Sequence, residues 1–149
     1  IFEAYAYNEV SLMRQTHLAS KIKIKINEKV KMEELICDGV LLSTSAGSTA
    51  YNLSAHGSIL PLDSNILALT PISAFRPRRW RGALLSEISK IDFEVLNHDE
   101  RSSSVTADNV EFRDISKVNI VSSDDNKCTV LFDSKHSIED KILNEQFNY

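Results

Sequence analysis

The chain has 149 residues, a net charge of −4, 42% hydrophobic residues and 26% charged residues. One domain of this length buries a real core, and the acidic balance sets aside a general role on nucleic acids or membrane surfaces. No stretch approaches the ~18 consecutive apolar residues of a membrane span.

Cys37 and Cys128 lie far apart, without metal-ligand spacing. Both sit in apolar runs and read as reduced core thiols, so a cytoplasmic location is the simplest expectation. Ile1 to Val10 carries Glu3 and Glu9 and no basic n-region, unlike a signal peptide.

In chain order, Ile1 to Leu12 reads as a strand, with Asn8 and Glu9 in its interior or at its end. Two such polar neighbours suit a solvated face, or they pair with a ligand's hydroxyls as donor and acceptor. Lys21-Ile22-Lys23-Ile24-Lys25-Ile26 alternates strictly, which predicts a half-buried strand with a solvated or edge-protecting lysine face. Asn27-Glu28-Lys29 is the turn, and Val30 to Cys37 is the returning strand of a hairpin. Asp38 before Gly39 suits a turn.

Val40, Leu41 and Leu42 predict a short buried strand. Ser43 to Ser48 is built of small residues, which let a backbone turn sharply or approach a ligand. Ser48 or Thr49 is placed to cap a helix running through Tyr51 and Ser54. Strand, small-residue loop and helix N-terminus present backbone N–H groups to an anion or polar ligand. Neither G-x-x-x-x-G-K-[ST] nor G-x-G-x-x-G occurs, so an ordinary capped helix stays open on these residues alone. Tyr51 and Leu53 suit the core or a pocket equally.

His56-Gly57 is expected to end this helix, with glycine near C′. Ile66 to Thr70 is another strand. Phe75-Arg76-Pro77-Arg78-Arg79-Trp80-Arg81 is the one basic cluster, open to nucleic acid, a phosphate tail or a partner surface. Ile88 to Leu96, Ser103 to Phe112, Ile115 to Ser122 and Cys128 to Phe132 read as strands, with Asp108-Asn109 at a hairpin tip. Ser137 caps a final helix whose apolar stripe is Ile138, Ile142, Leu143 and Phe147. About nine strands and two helices without a βαβ rhythm predict a mostly-β, sandwich-like domain.

Asp38-Gly39, then Ser43-Thr44-x-x-Gly47-Ser48-Thr49-Ala50-Tyr51 and Ser54-Ala55, resembles the signature of NAD kinases. Tyr7-Asn8-Glu9-Val10 resembles the Asn-Glu element of that family at the matching distance upstream. Leu69-Thr70-Pro71 and Arg76-Pro77 fit downstream. The resemblance covers nearly the whole chain and is closest to bacterial members. One departure is Ser45, where the family commonly has proline.

The resemblance implies the mostly-β C-terminal domain of the NAD kinase fold, with one short internal helix and a C-terminal helix. Residues 1–136 would form the NAD-binding domain and 137–149 a helical tail packed on an N-terminal α/β domain. The Gly-Gly-Asp-Gly loop of that α/β domain, source of the family's general base, does not occur here. The chain, starting at Ile1, is therefore expected to be a C-terminal part without a catalytic residue or metal ligand of its own.

The implied activity is phosphoryl transfer from ATP or polyphosphate to the 2′-hydroxyl of the adenosine ribose of NAD, with a divalent metal such as Mg on the donor phosphates. The resemblance assigns Asn8 and Glu9 to the nicotinamide ribose region. Thr49, Ala50, Tyr51 and Ser54 would form the core of the NAD site, lined by Asn52 and Leu53. Asp108 would sit near the nucleotide. Asp38 would reach the NAD site of a neighbouring subunit in a homo-oligomer, a dimer or tetramer. Neither a nucleic acid nor a membrane is an expected partner. Two other readings compete: a related lipid (diacylglycerol-type) kinase, and a non-catalytic nucleotide-binding or assembly β-domain. Asn8-Glu9 together with Gly47-Ser48-Thr49-Ala50-Tyr51 is not expected in the lipid kinases.

Overall fold

Alternation along the chain becomes two layers. In the computed structural model, which describes residues 1–131 and 137–147, Ile22 and Ile24 of the Lys-Ile run turn inward and are buried, while the lysines between them face out. The smaller sheet contains β2 (Ser20–Ile26), β3 (Lys29–Cys37), β7 (Ile91–Val95) and β10 (Lys117–Ile120), in the order β10-β7-β2-β3. Asn27 and Glu28 make the β2–β3 turn, both at positive φ (50° and 66°), as a tight hairpin requires.

The larger sheet contains β1 (Glu9–Arg14), β4 (Gly39–Ser43), β5 (Ile66–Ile72), β6 (Ala83–Ser86), β8 (Ser103–Ala107) and β9 (Val110–Phe112), in the order β6-β5-β4-β1-β8-β9. Leu12, Val40, Leu42, Leu67, Leu69 and Val105 on one of its faces pack against Ile22, Ile24, Leu35, Cys37, Ile91, Phe93 and Val95 of the smaller sheet. This is the mostly-β sandwich that the alternation predicts. Among the described residues, no helix is long and apolar enough to cross a membrane.

The other face of the larger sheet is also covered. Ser11, Leu41 and Thr70 stand side by side across β1, β4 and β5, and all are buried outside the sandwich core. Their cover is the β4–β5 connection, which holds a 3₁₀ turn (Ala46–Thr49) and the short helix α1 (Tyr51–Ser54). Asn52 of α1 is fully buried. Its Nδ2 donates to the carbonyls of Ser48 (3.0 Å) and Ser58 (2.9 Å), and its Oδ1 accepts the Thr70 hydroxyl at 2.7 Å. Gly57 lies so close that an added Cβ would overlap the Asn52 amide, which explains a glycine at this position.

Several elements differ from the sequence expectation. Strand β1 starts at Glu9, not Ile1, because β4 leaves the sheet at Ser43 and β8 at Ala107, so earlier residues have no partner. Phe2 instead stacks on Phe112, with ring centroids 4.9 Å apart. The helix after the small-residue loop is split at Ala50 (φ −92°, ψ −126°), and neither half has a side-chain cap. His56, at φ 62°, takes the left-handed position expected of Gly57. Strand β2 is central, not an edge, and its lysines meet carboxylates: Lys21 meets Glu34 at 3.2 Å and Lys25 meets Glu94 at 3.3 Å.

Cys37 is buried as expected, and burial pushes its thiol pKa up to about 12. Cys128 is exposed instead, because residues 128–131 form no strand; Phe132 lies outside the described residues. The 103–112 segment is a hairpin of two strands, and β6 was not foreseen in its short Ala-Leu-Leu-Ser sequence. Helix α2 (Ile138–Phe147) is capped by Ser137, whose Oγ accepts the Asp140 N–H at 3.0 Å. Ile142 is buried, whereas Leu143 and Phe147 are exposed. Arg76 and Arg78 lie over the Phe75 ring, and Trp80 packs against the core.

Replacing Asn52 with alanine strands the Thr70 hydroxyl and the Ser48 carbonyl in a buried site and removes the donor to the Ser58 carbonyl at its edge. Urea unfolding is expected to show a loss of about 3 kcal/mol.

Candidate functional site

The site forms where β1, β4 and β8 meet the small-residue loop. Pairing sets Glu9 opposite Ser43 and Val10 opposite Ala107, so three chain segments turn away from the sheet together. Asp108 occupies the β8–β9 turn at φ 50°. Its Oδ2 accepts the Tyr7 N–H at 2.6 Å, and its Oδ1 accepts those of Asn8 (2.9 Å) and Glu9 (3.1 Å). Its own N–H donates to the Glu9 carbonyl at 3.1 Å.

The loop docks on the other side of the same backbone. The Thr44 N–H donates to the Asn8 carbonyl at 2.9 Å, and the Thr44 hydroxyl donates to the Tyr7 carbonyl at 2.7 Å. The Gly47 N–H then donates to the Thr44 hydroxyl oxygen at 3.1 Å. A Cβ on Gly47 would overlap the Asn8 carbonyl, so only glycine lets the loop lie this close. Ser48 ties the loop down further. Its hydroxyl donates to the Ser45 carbonyl at 2.8 Å and accepts the Leu60 N–H at 3.0 Å. Ser45 has φ −59°, the value proline would impose, so the loop holds this angle without one.

Glu9 carries the chemical signal of the site. Its Oε2 is buried and has no hydrogen-bond partner. Burial, then the neighbouring Asp108 carboxylate, push its pKa above the ordinary value of 4.5. A buried acceptor without a donor is suited to a ligand hydroxyl.

The structure therefore brings Asn8, Glu9, Asp108 and the loop together. Thr49 and Ala50 are half-buried at the loop's end, and Tyr51, Leu53 and Ser54 reach the surface. The Tyr51 hydroxyl lies 3.7 Å from the Met13 sulfur, so the ring lies along β1. Asn52 is placed beside this group but faces inward, with its amide fully engaged.

Asp38 is not part of the cluster. It adjoins Gly39, which pairs with Met13 at the other end of β1, roughly 15 Å from Glu9 at ~3.4 Å per strand residue. There Asp38 Oδ1 accepts the Arg14 Nε–H at 2.6 Å. Sequence reasoning did not single out Arg14, nor the backbone roles of Thr44 and Asp108. Their contacts run through main-chain groups or across long sequence separations, which leave no local pattern. Among the described residues, no three His, Cys, Asp or Glu side chains converge as metal ligands, and the Asp108 oxygens are engaged.

The family model for the ATP-NAD kinase C-terminal domain matches residues 7–112, from the Asn8-Glu9 element through the Asp108 turn to Phe112. An NAD kinase of Caulobacter vibrioides is 56% identical over 97% of this chain and 56% of its own length. One from Rickettsia bellii is 52% identical over 99% of this chain and 58% of its own. The chain thus spans a little over half the length of these relatives. Among solved structures, yeast NADH kinase complexed with NADH aligns with a TM-score of 0.67 and 28% identity, over 78% of this chain and 35% of that one. An Archaeoglobus fulgidus NAD kinase in complex with ATP shares the fold at a TM-score of 0.71 and 23% identity, over 80% of this chain and 46% of that one. The two-sheet fold and the match through both site elements identify the chain as a member of the ATP-NAD kinase family, and specifically as its C-terminal domain.

Proposed function

We propose that this chain is the NAD-binding half of a kinase that phosphorylates the 2′-hydroxyl of the adenosine ribose of NAD. The observation that carries this reading is the buried, unpartnered Glu9 Oε2 next to Asn8, in a chain of this family. The Glu9 carboxylate accepts from ribose hydroxyls, while the Asn8 amide both donates and accepts. Tyr51 offers an exposed ring for the adenine, and Leu53 adds apolar lining. Thr49 and Ser54 supply hydroxyls, and Ala50 a small surface that lets the ligand come close. Asn52 takes part by holding α1 against Thr70.

In this reading Asp38 serves a neighbouring subunit of a homo-oligomer. Its distance from Glu9 in the same chain supports that role, and Arg14 engages only one of its oxygens. Phosphoryl transfer from ATP or polyphosphate is mostly positioning and charge stabilisation. A divalent metal such as Mg supplies charge neutralisation on the donor phosphates when bound. The base that takes the hydroxyl proton belongs to a Gly-Gly-Asp-Gly loop that this sequence lacks.

Two outcomes are expected. The 149-residue chain alone forms no NADP from NAD and ATP, and supplying the α/β segment with its Gly-Gly-Asp-Gly loop restores turnover; NADP formation by the chain alone would refute this division of labour. Glu9→Gln weakens NAD binding about tenfold or more in calorimetry. Because the folded state raises the Glu9 pKa, ionised Glu9 costs stability once the pH rises above the unfolded value of 4.5. Glu9→Gln therefore melts higher than the parent at pH 7, and the gain vanishes below pH ~4.

A further inference from the structure

We propose that Asp108 is a positioning residue for NAD: it touches no ligand and instead fixes the Asn8-Glu9 backbone that does. The inference rests on the NAD-binding reading above. Both carboxylate oxygens are already engaged by three consecutive N–H groups, from Tyr7, Asn8 and Glu9. Successive N–H groups converging on one anion form a concave nest, normally a place for a bound anion. Here the protein fills the nest itself, through a charge-assisted set of bonds.

The contact has a definite mechanical effect. It spans about a hundred residues of sequence and ties the β8–β9 turn to the start of β1. With the N–H groups of Tyr7 and Asn8 turned toward Asp108, their carbonyls are free to accept from Thr44. One carboxylate thus sets the position of Asn8 and Glu9 and, through Thr44 and Gly47, that of the loop ending at Thr49. The hairpin supports this arrangement, since Asp108 holds a positive φ that asparagine and aspartate tolerate better than most residues.

The test compares Asp108→Ala, Asp108→Asn and Glu9→Gln in the kinase completed by its α/β segment. Hydrogen exchange at the amides of residues 7–9, NAD affinity and steady-state kinetics are measured. For Asp108→Ala, exchange at those three amides speeds up by about tenfold or more while β2 and β7 stay protected, and KM for NAD rises about tenfold with kcat within about threefold. Asp108→Asn falls between, because one amide oxygen still accepts while its NH2 meets an N–H donor.

Two results would overturn the inference: unchanged NAD affinity in Asp108→Ala, or a collapsed kcat in Asp108→Asn with residues 7–9 still protected. The second result would make Asp108 a group acting on the reacting atoms. If Asp108→Ala does not fold, the Asp108→Asn exchange and kinetics decide alone. If Glu9→Gln leaves NAD affinity unchanged as well, the NAD-binding reading itself fails. A loss confined to Glu9→Gln defeats only the role given to Asp108.

Discussion

Strand β4 has no face toward water. All five of its residues, Gly39 to Ser43, are buried, with Val40 and Leu42 in the sandwich and Leu41 and Ser43 beneath the following loop. A strand in this position obliges the chain to build cover on both sides of the larger sheet. The smaller sheet covers one side mainly with apolar side chains, its one buried hydroxyl, Ser20, being paired with Ser103 of the larger sheet at 3.1 Å. The other side carries Ser11, Ser43 and Thr70, so its cover must satisfy polar groups as well as exclude water. The Asn52 amide does this for Thr70, with Gly57 making room for it, and Ser43 donates to the Asn8 and Thr44 carbonyls. The loop that caps the strand is therefore fixed in shape, and its outer edge becomes a surface on which other groups are placed reproducibly.

That edge is where the chemistry collects. The loop meets the start of β1 and the β8–β9 turn, and the three are joined chiefly by main-chain hydrogen bonds. Side chains such as Glu9 are then left with unmet bonding capacity. A half-buried carboxylate with one buried, idle oxygen, next to another carboxylate, costs the folded protein stability, and such costs gather where a protein binds something. In the function proposed above, NAD is the ligand that this cost serves.

Much of the fold was legible because sheet burial imposes a period of two. The Lys-Ile run follows directly from it; the Val40-Leu41-Leu42 core strand was legible as a continuous apolar run, the Asn27-Glu28 turn from turn chemistry and the Ser137 cap from helix-end chemistry. Other features depend on partners distant in sequence. Nothing near Ile1 reveals that its pairing strands stop short, and nothing near Ala50 reveals that Asn52 must turn inward to reach Thr70. Cys128 sits in an apolar stretch, yet that stretch joins no sheet. At the site, the residue types of the Asn8-Glu9 element and the small-residue loop were visible, as was the turn at Asp108-Asn109. Their convergence, and the use of Asp108 by the backbone, required the three-dimensional register.

The outward lysines of β2 have a further consequence. Each of their ion pairs is partly exposed and individually weak, including Lys23 with Glu33 at 3.8 Å and Lys25 with Glu94 at 3.3 Å. Their value lies in what they forbid. Lys25 stands opposite Val30, and a one-residue slip of the hairpin would set it against Lys29. Such a slip would also turn the isoleucines out of the core. Like charges meeting across a strand pair add a penalty to that hydrophobic loss, so the charged face acts as a proofreader of strand alignment during folding.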